Sequence, residues 1–99
     1  MKIYHIVPAE NWQTFNGICY EAESLAAEGF IHCSFAEQID AVLERYYADL
    51  GRVMILEIDV SLLESRLVVE PSTGGESYPH IYGPINVEAI VASREYALR

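Results

Sequence analysis

The chain has three histidines, His5, His32 and His80, and each lies in a stretch flanked by apolar residues. Imidazole titrates near neutral pH, so histidine is the usual side chain for proton transfer, metal ligation and hydrogen bonding to ribose or phosphate oxygens. His80 belongs to the segment Tyr78-Pro79-His80-Ile81-Tyr82-Gly83-Pro84. Two prolines fix φ there and remove two backbone donors, and the glycine permits angles closed to other residues. The segment reads as a rigid loop holding His80 and Tyr82 in set directions. His32 lies in Gly29-Phe30-Ile31-His32-Cys33-Ser34. Taken singly, each histidine reads as an ordinary core or edge residue; taken together, they read as a site.

Three chemistries fit these residue types. The first is a tetrahedral zinc site from His5, His32 and His80 with Glu70 or Cys33. No HxH or HxxxH spacing supports it, and no metal is expected. The second is nucleophilic catalysis by Ser34 or Cys33. A helix N-cap role already accounts for Ser34, and Cys33 has no evident base beside it. The third is a nucleotide pocket. It needs rings to bond ribose, an aromatic to stack on a base and a carboxylate to steady an oxocarbenium charge. His5, His32, Ser34, His80 and Tyr82 supply such groups, with Trp12 as a further aromatic and Glu70 as the carboxylate. Core packing is the competing explanation for Trp12 and Tyr82, and a solvated strand end for Glu70.

The 99 residues make one domain, and 52% of them are hydrophobic, enough for a real core. The formal net charge of −9, with six Lys and Arg scattered along the chain, disfavours nucleic acid and anionic membrane surfaces as partners. One arginine can still clamp one phosphate of a small ligand. No apolar run approaches the ~20 residues of a membrane span. The N-terminus reads as a strand and not as a signal peptide, so a cytosolic location with Cys19 and Cys33 reduced is expected.

The elements that must position these residues are partly legible. Residues 2–7 carry strand-type side chains. A short helix is expected over Ala9 to Asn16, followed by an ambiguous stretch over 18–28 and a short strand over 30–33. Ser34-Phe35-Ala36-Glu37 matches a capping box with Ser34 as N-cap. Phe35, Ile39, Val42, Leu43, Tyr46, Tyr47 and Leu50 then share one helical face, up to Gly51. Strands follow over 53–59 and 67–70, with one turn over 61–64. Residues 71–77 are loop-like, and 85–98 read mainly as strand. This order predicts an α+β domain with a small, mixed or antiparallel sheet and one main helix.

Tyr4-His5, Glu28-Gly29-Phe30-Ile31-His32-Cys33-Ser34 with Glu37-Gln38, Leu56-Glu57-Ile58-Asp59, Glu70 and Pro79-His80-Ile81-Tyr82-Gly83-Pro84-Ile85 follow in that order. From residue 3 to about residue 90, the chain resembles the small bacterial family catalogued as domain of unknown function 952. More remotely, that family is similar to the ADP-ribosyltransferase-like superfamily, in particular its RNA 2′-phosphotransferases. The resemblance implies an ADP-ribosyltransferase-like core and a cleft lined by Tyr4-His5, His32-Ser34 and Pro79-Tyr82. It further implies a nucleotide-like ligand such as NAD or ADP-ribose, with NAD as the cofactor. His5 and His32 would then bond ribose or phosphate oxygens, and Tyr82 would stack on a base. Catalysis of ribosyl transfer or hydrolysis would fall to His32 and Glu70, with Glu88 the other late carboxylate. A non-catalytic binding module on the same fold is the alternative.

Overall fold

The computed structural model describes residues 1–98, with Thr73 through its backbone. Its strands are β1 (Lys2–Pro8), β2 (Cys19–Tyr20), β3 (Ile31–His32), β4 (Arg52–Asp59), β5 (Arg66–Pro71), β6 (Ser77–Tyr82), β7 (Ile85–Asn86) and β8 (Ile90–Ala97). Its helices are α1 (Ala9–Gln13), α2 (Glu23–Glu28) and the main helix α3 (Ile39–Tyr46). The strands form three sheets, β1-β4-β8, β2-β7 and β3-β6-β5, and every described pair is antiparallel. The domain is therefore α+β, with antiparallel sheets and one main helix.

The alternation of β1 divides the interior in two. Ile3 and Val7 enter a core with Ile31, Cys33, Leu56, Ile58, Ile81 and Ile85. Ile6, pointing the other way, joins Leu43, Val53 and Ile55, against which Ile39 and Val42 of α3 and Tyr47 just beyond it pack. The helical spacing of those residues puts them on one face of α3. Burying Leu43 alone contributes about 1.5–3 kcal/mol.

The start of this helix differs from expectation. Ser34 exchanges both backbone hydrogen bonds with Tyr4, at 2.8 and 2.7 Å, and so stitches the β3 segment to β1. Its backbone is committed there and cannot begin a helix. The capping shifts by one residue. The Phe35 N–H donates to the Gln38 side-chain oxygen at 2.9 Å, and the Gln38 N–H donates to the Phe35 carbonyl at 2.9 Å. Buried Gln38 also donates to Glu76 and to the Ser77 carbonyl, tying the helix entry to β6. Tyr47 leaves helical geometry at φ −122°, so α3 stops short of Leu50.

Three other expectations change. Helix α1 ends at Gln13 because the Thr14 hydroxyl takes the Asn11 carbonyl and the Phe15 N–H turns to Trp12. The ambiguous stretch resolves into β2 and α2, with Gly29 closing α2 at φ 91°. The expected rigid loop over 78–84 is largely strand β6, the centre of its sheet. Pro79 is tolerated there because its carbonyl, and so its missing N–H, faces β3 at the end of that ladder. Cys33 donates to the Pro79 carbonyl at 3.1 Å, and proline cannot return the bond. The β3 ladder therefore stops at His32, opposite His80.

Gly83 turns the chain from β6 into β7 at φ 155°. A Cβ there would collide with the Ser65 hydroxyl and come within 2.9 Å of Ser65 Cβ. That hydroxyl is fixed, donating to the Pro84 carbonyl at 2.6 Å. Gly83→Ala is expected to destabilise the fold by about 2–4 kcal/mol, read as a lower urea midpoint. Adding Ser65→Gly should recover part of the loss by removing the clash.

Candidate functional site

Three elements build one cleft of about 370 Å³. The β3 segment supplies His32, Cys33 and Ser34, α3 and its C-cap supply Val42, Tyr46 and Tyr47, and β6 supplies Tyr78. Ile6 of β1, Glu28 at the end of α2 and Ser72 complete the lining. The Tyr47 hydroxyl donates to the Ile6 carbonyl at 3.5 Å, holding α3 against β1. Arg45 adds a positive charge beside the cleft. Its guanidinium lies 5.8 Å from the Tyr46 ring centre, and hydrogen bonding to Tyr46 with the nearby Tyr78 raises its pKa.

A second cluster shares His32 with this cleft. His32 and His80 stand opposite each other on β3 and β6, their ring centres 5.4 Å apart and nearly perpendicular. Each is paired with a glutamate. His32 Nε2 lies 3.1 Å from Glu28, and His80 Nδ1 lies 2.6 Å from Glu70. The Tyr82 hydroxyl donates to the same Glu70 oxygen. This bond, and then that from His80, holds the Glu70 carboxyl below its usual range, and the same contact raises the Tyr82 phenol. Phe30 covers the group, stacked on His80 at 4.1 Å.

His5 and Trp12 do not join these groups. On β1, His5 shares the parity of Ile3 and Val7, so its ring turns towards the first core. Its Nδ1–H donates to the His32 carbonyl at 2.7 Å, and Nε2 meets the Tyr20 hydroxyl at 3.4 Å. Trp12 stacks on Phe15 and meets Tyr20 edge-on. Of the expected site residues, the structure thus places His32 and Ser34 on the cleft and Glu70, His80 and Tyr82 beside it. Glu88 lies in the turn 87–89, within 3.4 Å of Asn86. Among the described residues, no three His, Cys, Asp or Glu side chains converge to hold a metal ion. Sequence reasoning overlooked Glu28, Arg45, Tyr47 and Tyr78. Adjacent tyrosines on the apolar face of α3 were the available signal, since a buried phenol needs a partner.

These features define a small antiparallel α+β domain with a histidine- and tyrosine-lined cleft beside one helix. The chain belongs to the family described as "Protein of unknown function (DUF952)", whose model matches residues 6–93. It is similar to the crystal structure of protein CC0527 from Caulobacter crescentus, with 26% identity and a TM-score of 0.84 over 96% of this chain and 85% of that one. The solution NMR structure of CC0527 gives 26% identity and a TM-score of 0.74, over 94% and 82% of the two chains. A search of curated proteins gives no significant match. Among the described residues, no helix is long and apolar enough to cross a membrane.

Burial pushes His5 down to about 4. Desolvation is the main cause, with a smaller contribution from nearby His32. Between pH 6.5 and about 4, the unfolded chain binds a proton that the native state refuses. Stability is full above pH 6.5 and should fall by about 3 kcal/mol as pH drops to 4. Urea titrations at several pH values should show this slope, and His5→Phe should flatten it. Burial likewise raises the Cys33 thiol, while Cys19 is exposed. A maleimide reagent should label Cys19 within minutes and Cys33 only after unfolding.

Proposed function

We propose that the cleft binds a nucleotide-like small molecule of the NAD or ADP-ribose class. The observation that carries this is the convergence of Tyr46, Tyr47 and Tyr78 with His32 and Ser34 around one space, with Arg45 against Tyr46 and near Tyr78. Its volume of about 370 Å³ falls within the range of small-ligand sites. The tyrosines offer aromatic surface to a base. His32 and Ser34 offer hydrogen bonds to ribose hydroxyls, and Arg45 offers charge to a single phosphate. An ADP-ribosyltransferase-like core, which the sequence resemblance implies, would take the same ligand class and would bring with it transfer or hydrolysis at the ribose C1.

One observation favours a binding module over a transferase. Glu70, the carboxylate expected to steady an oxocarbenium ion, is engaged by His80 and Tyr82 and does not line the cleft. The carboxylate that does is Glu28.

An amide-shift titration with NAD and ADP-ribose tests the proposal. Saturable shifts at Ser34, Tyr47 and Tyr78 are expected. His32→Ala should weaken binding by about tenfold, the loss of one good hydrogen bond. Its stability should barely change, because the His32–Glu28 pair is half exposed. Absence of shifts at millimolar ligand would sink the reading. Nicotinamide release in the same samples would select the transferase or hydrolase form.

A further inference from the structure

The two glutamate–histidine pairs share one logic. Glu70 is ionised at neutral pH and can only accept, so His80 Nδ1 carries the proton it donates and Nε2 keeps a lone pair. Glu28 faces His32 Nε2 in the same way, and in the tautomer that donates there Nδ1 is the free acceptor. Two acceptors therefore stand on neighbouring strands, on rings 5.4 Å apart.

Their surroundings differ. His32 is half exposed and lines the cleft. His80 is 2% exposed, and among the described residues its Nε2 is the one buried side-chain polar atom without a hydrogen-bond partner. Such atoms are rare in folded proteins and mark places where something else is meant to bond. Phe30, stacked on this ring, has no donor to give. It is itself only partly buried, and its ring also touches those of His32 and Tyr82. Phe30 follows Gly29, whose φ is +91° and around which a Cβ would meet nothing within 4 Å.

We propose that His32 and His80 are a paired acceptor for a vicinal diol, and that Phe30 is a gate that must swing off His80 before the second hydroxyl can bond. Two neighbouring hydroxyls present two donors at once, which matches two lone pairs and no donor on the protein side. A monohydroxyl compound satisfies only one. The inference rests on the nucleotide reading of the cleft insofar as ribose would supply the diol, but the pair itself is testable without a nucleotide.

The test follows the ring nitrogens of His32 and His80 by ¹⁵N NMR in wild-type protein, Phe30→Ala and Phe30→Leu. The probes are cis-1,2-cyclopentanediol, cyclopentanol, adenosine and 2′-deoxyadenosine. In Phe30→Ala, the diol should move the His80 Nε2 signal and bind at least about tenfold more tightly than to wild type, as one added hydrogen bond allows. Cyclopentanol should not show that gain, and adenosine should outbind 2′-deoxyadenosine. Phe30→Leu keeps bulk without the flat stacked ring, so it supplies the comparison should the alanine variant fail to fold. An unmoved His80 Nε2 in a folded variant saturated with the diol would overturn the proposal. A response to cyclopentanediol without amide shifts at Ser34 or Tyr47 from either nucleoside would keep the pair and remove the nucleotide reading instead.

Discussion

The segment from Phe30 to Ser34 holds the molecule together. On one side, Ile31 and His32 pair with β6, and Cys33 donates to Pro79. On the other, Ser34 exchanges two backbone bonds with Tyr4, and His5 donates a third to the His32 carbonyl. Five residues thus join the β1-β4-β8 sheet to the β3-β6-β5 sheet. Three bonds across one seam contribute ~3 kcal/mol net, since each replaces a bond to water. Their geometric effect is larger than that figure. They set how far α3 stands from His32 and so how wide the cleft is.

The two sheet faces give histidine opposite characters. His5 is buried with a carbonyl and a phenol for partners, neither of which offsets the lost hydration of a positive charge. It is a neutral strut whose proton sits where a carbonyl needs it. His80 is equally buried but faces a carboxylate, so one of its nitrogens is satisfied and the other is not. A residue type that reads alike in sequence therefore has three fates here: strut, buried acceptor and exposed cleft wall. Only the parity of the strand and the identity of the neighbours separate them.

Much of the fold was legible because its signals are local. The apolar stripe of α3 and the β4 run both depend on neighbours within a few residues. The misread features depend on distant ones. Ser34 satisfies every local rule for an N-cap, yet Tyr4, thirty residues earlier in the chain, claims its backbone first. Pro79 argues against a central strand, and it is one, because the single position that lacks a donor coincides with the end of the β3 ladder. In the candidate site, residue types were readable but convergence was not. Nothing in the spacing of His5 and His32 says that they touch through a backbone carbonyl with their rings on opposite sides, and Arg45 gives no sign of standing beside Tyr78.

The sheet register has a consequence for how the chain is made. Lys2 pairs with Asp59, and β4 in turn awaits Arg52 to Ile58 finding their partners between Ile90 and Ala97. At about 5–20 residues per second on the ribosome, β1 spends several seconds with no partner strand, and β4 keeps an open edge until β8 emerges. The first core cannot close before β6 and β7 have emerged, because Ile81 and Ile85 belong to it with Ile3. Folding is thus governed by long-range pairing, the slow regime for small domains. In the interval, the alternating apolar residues of β1 lack the strand that pairs with them.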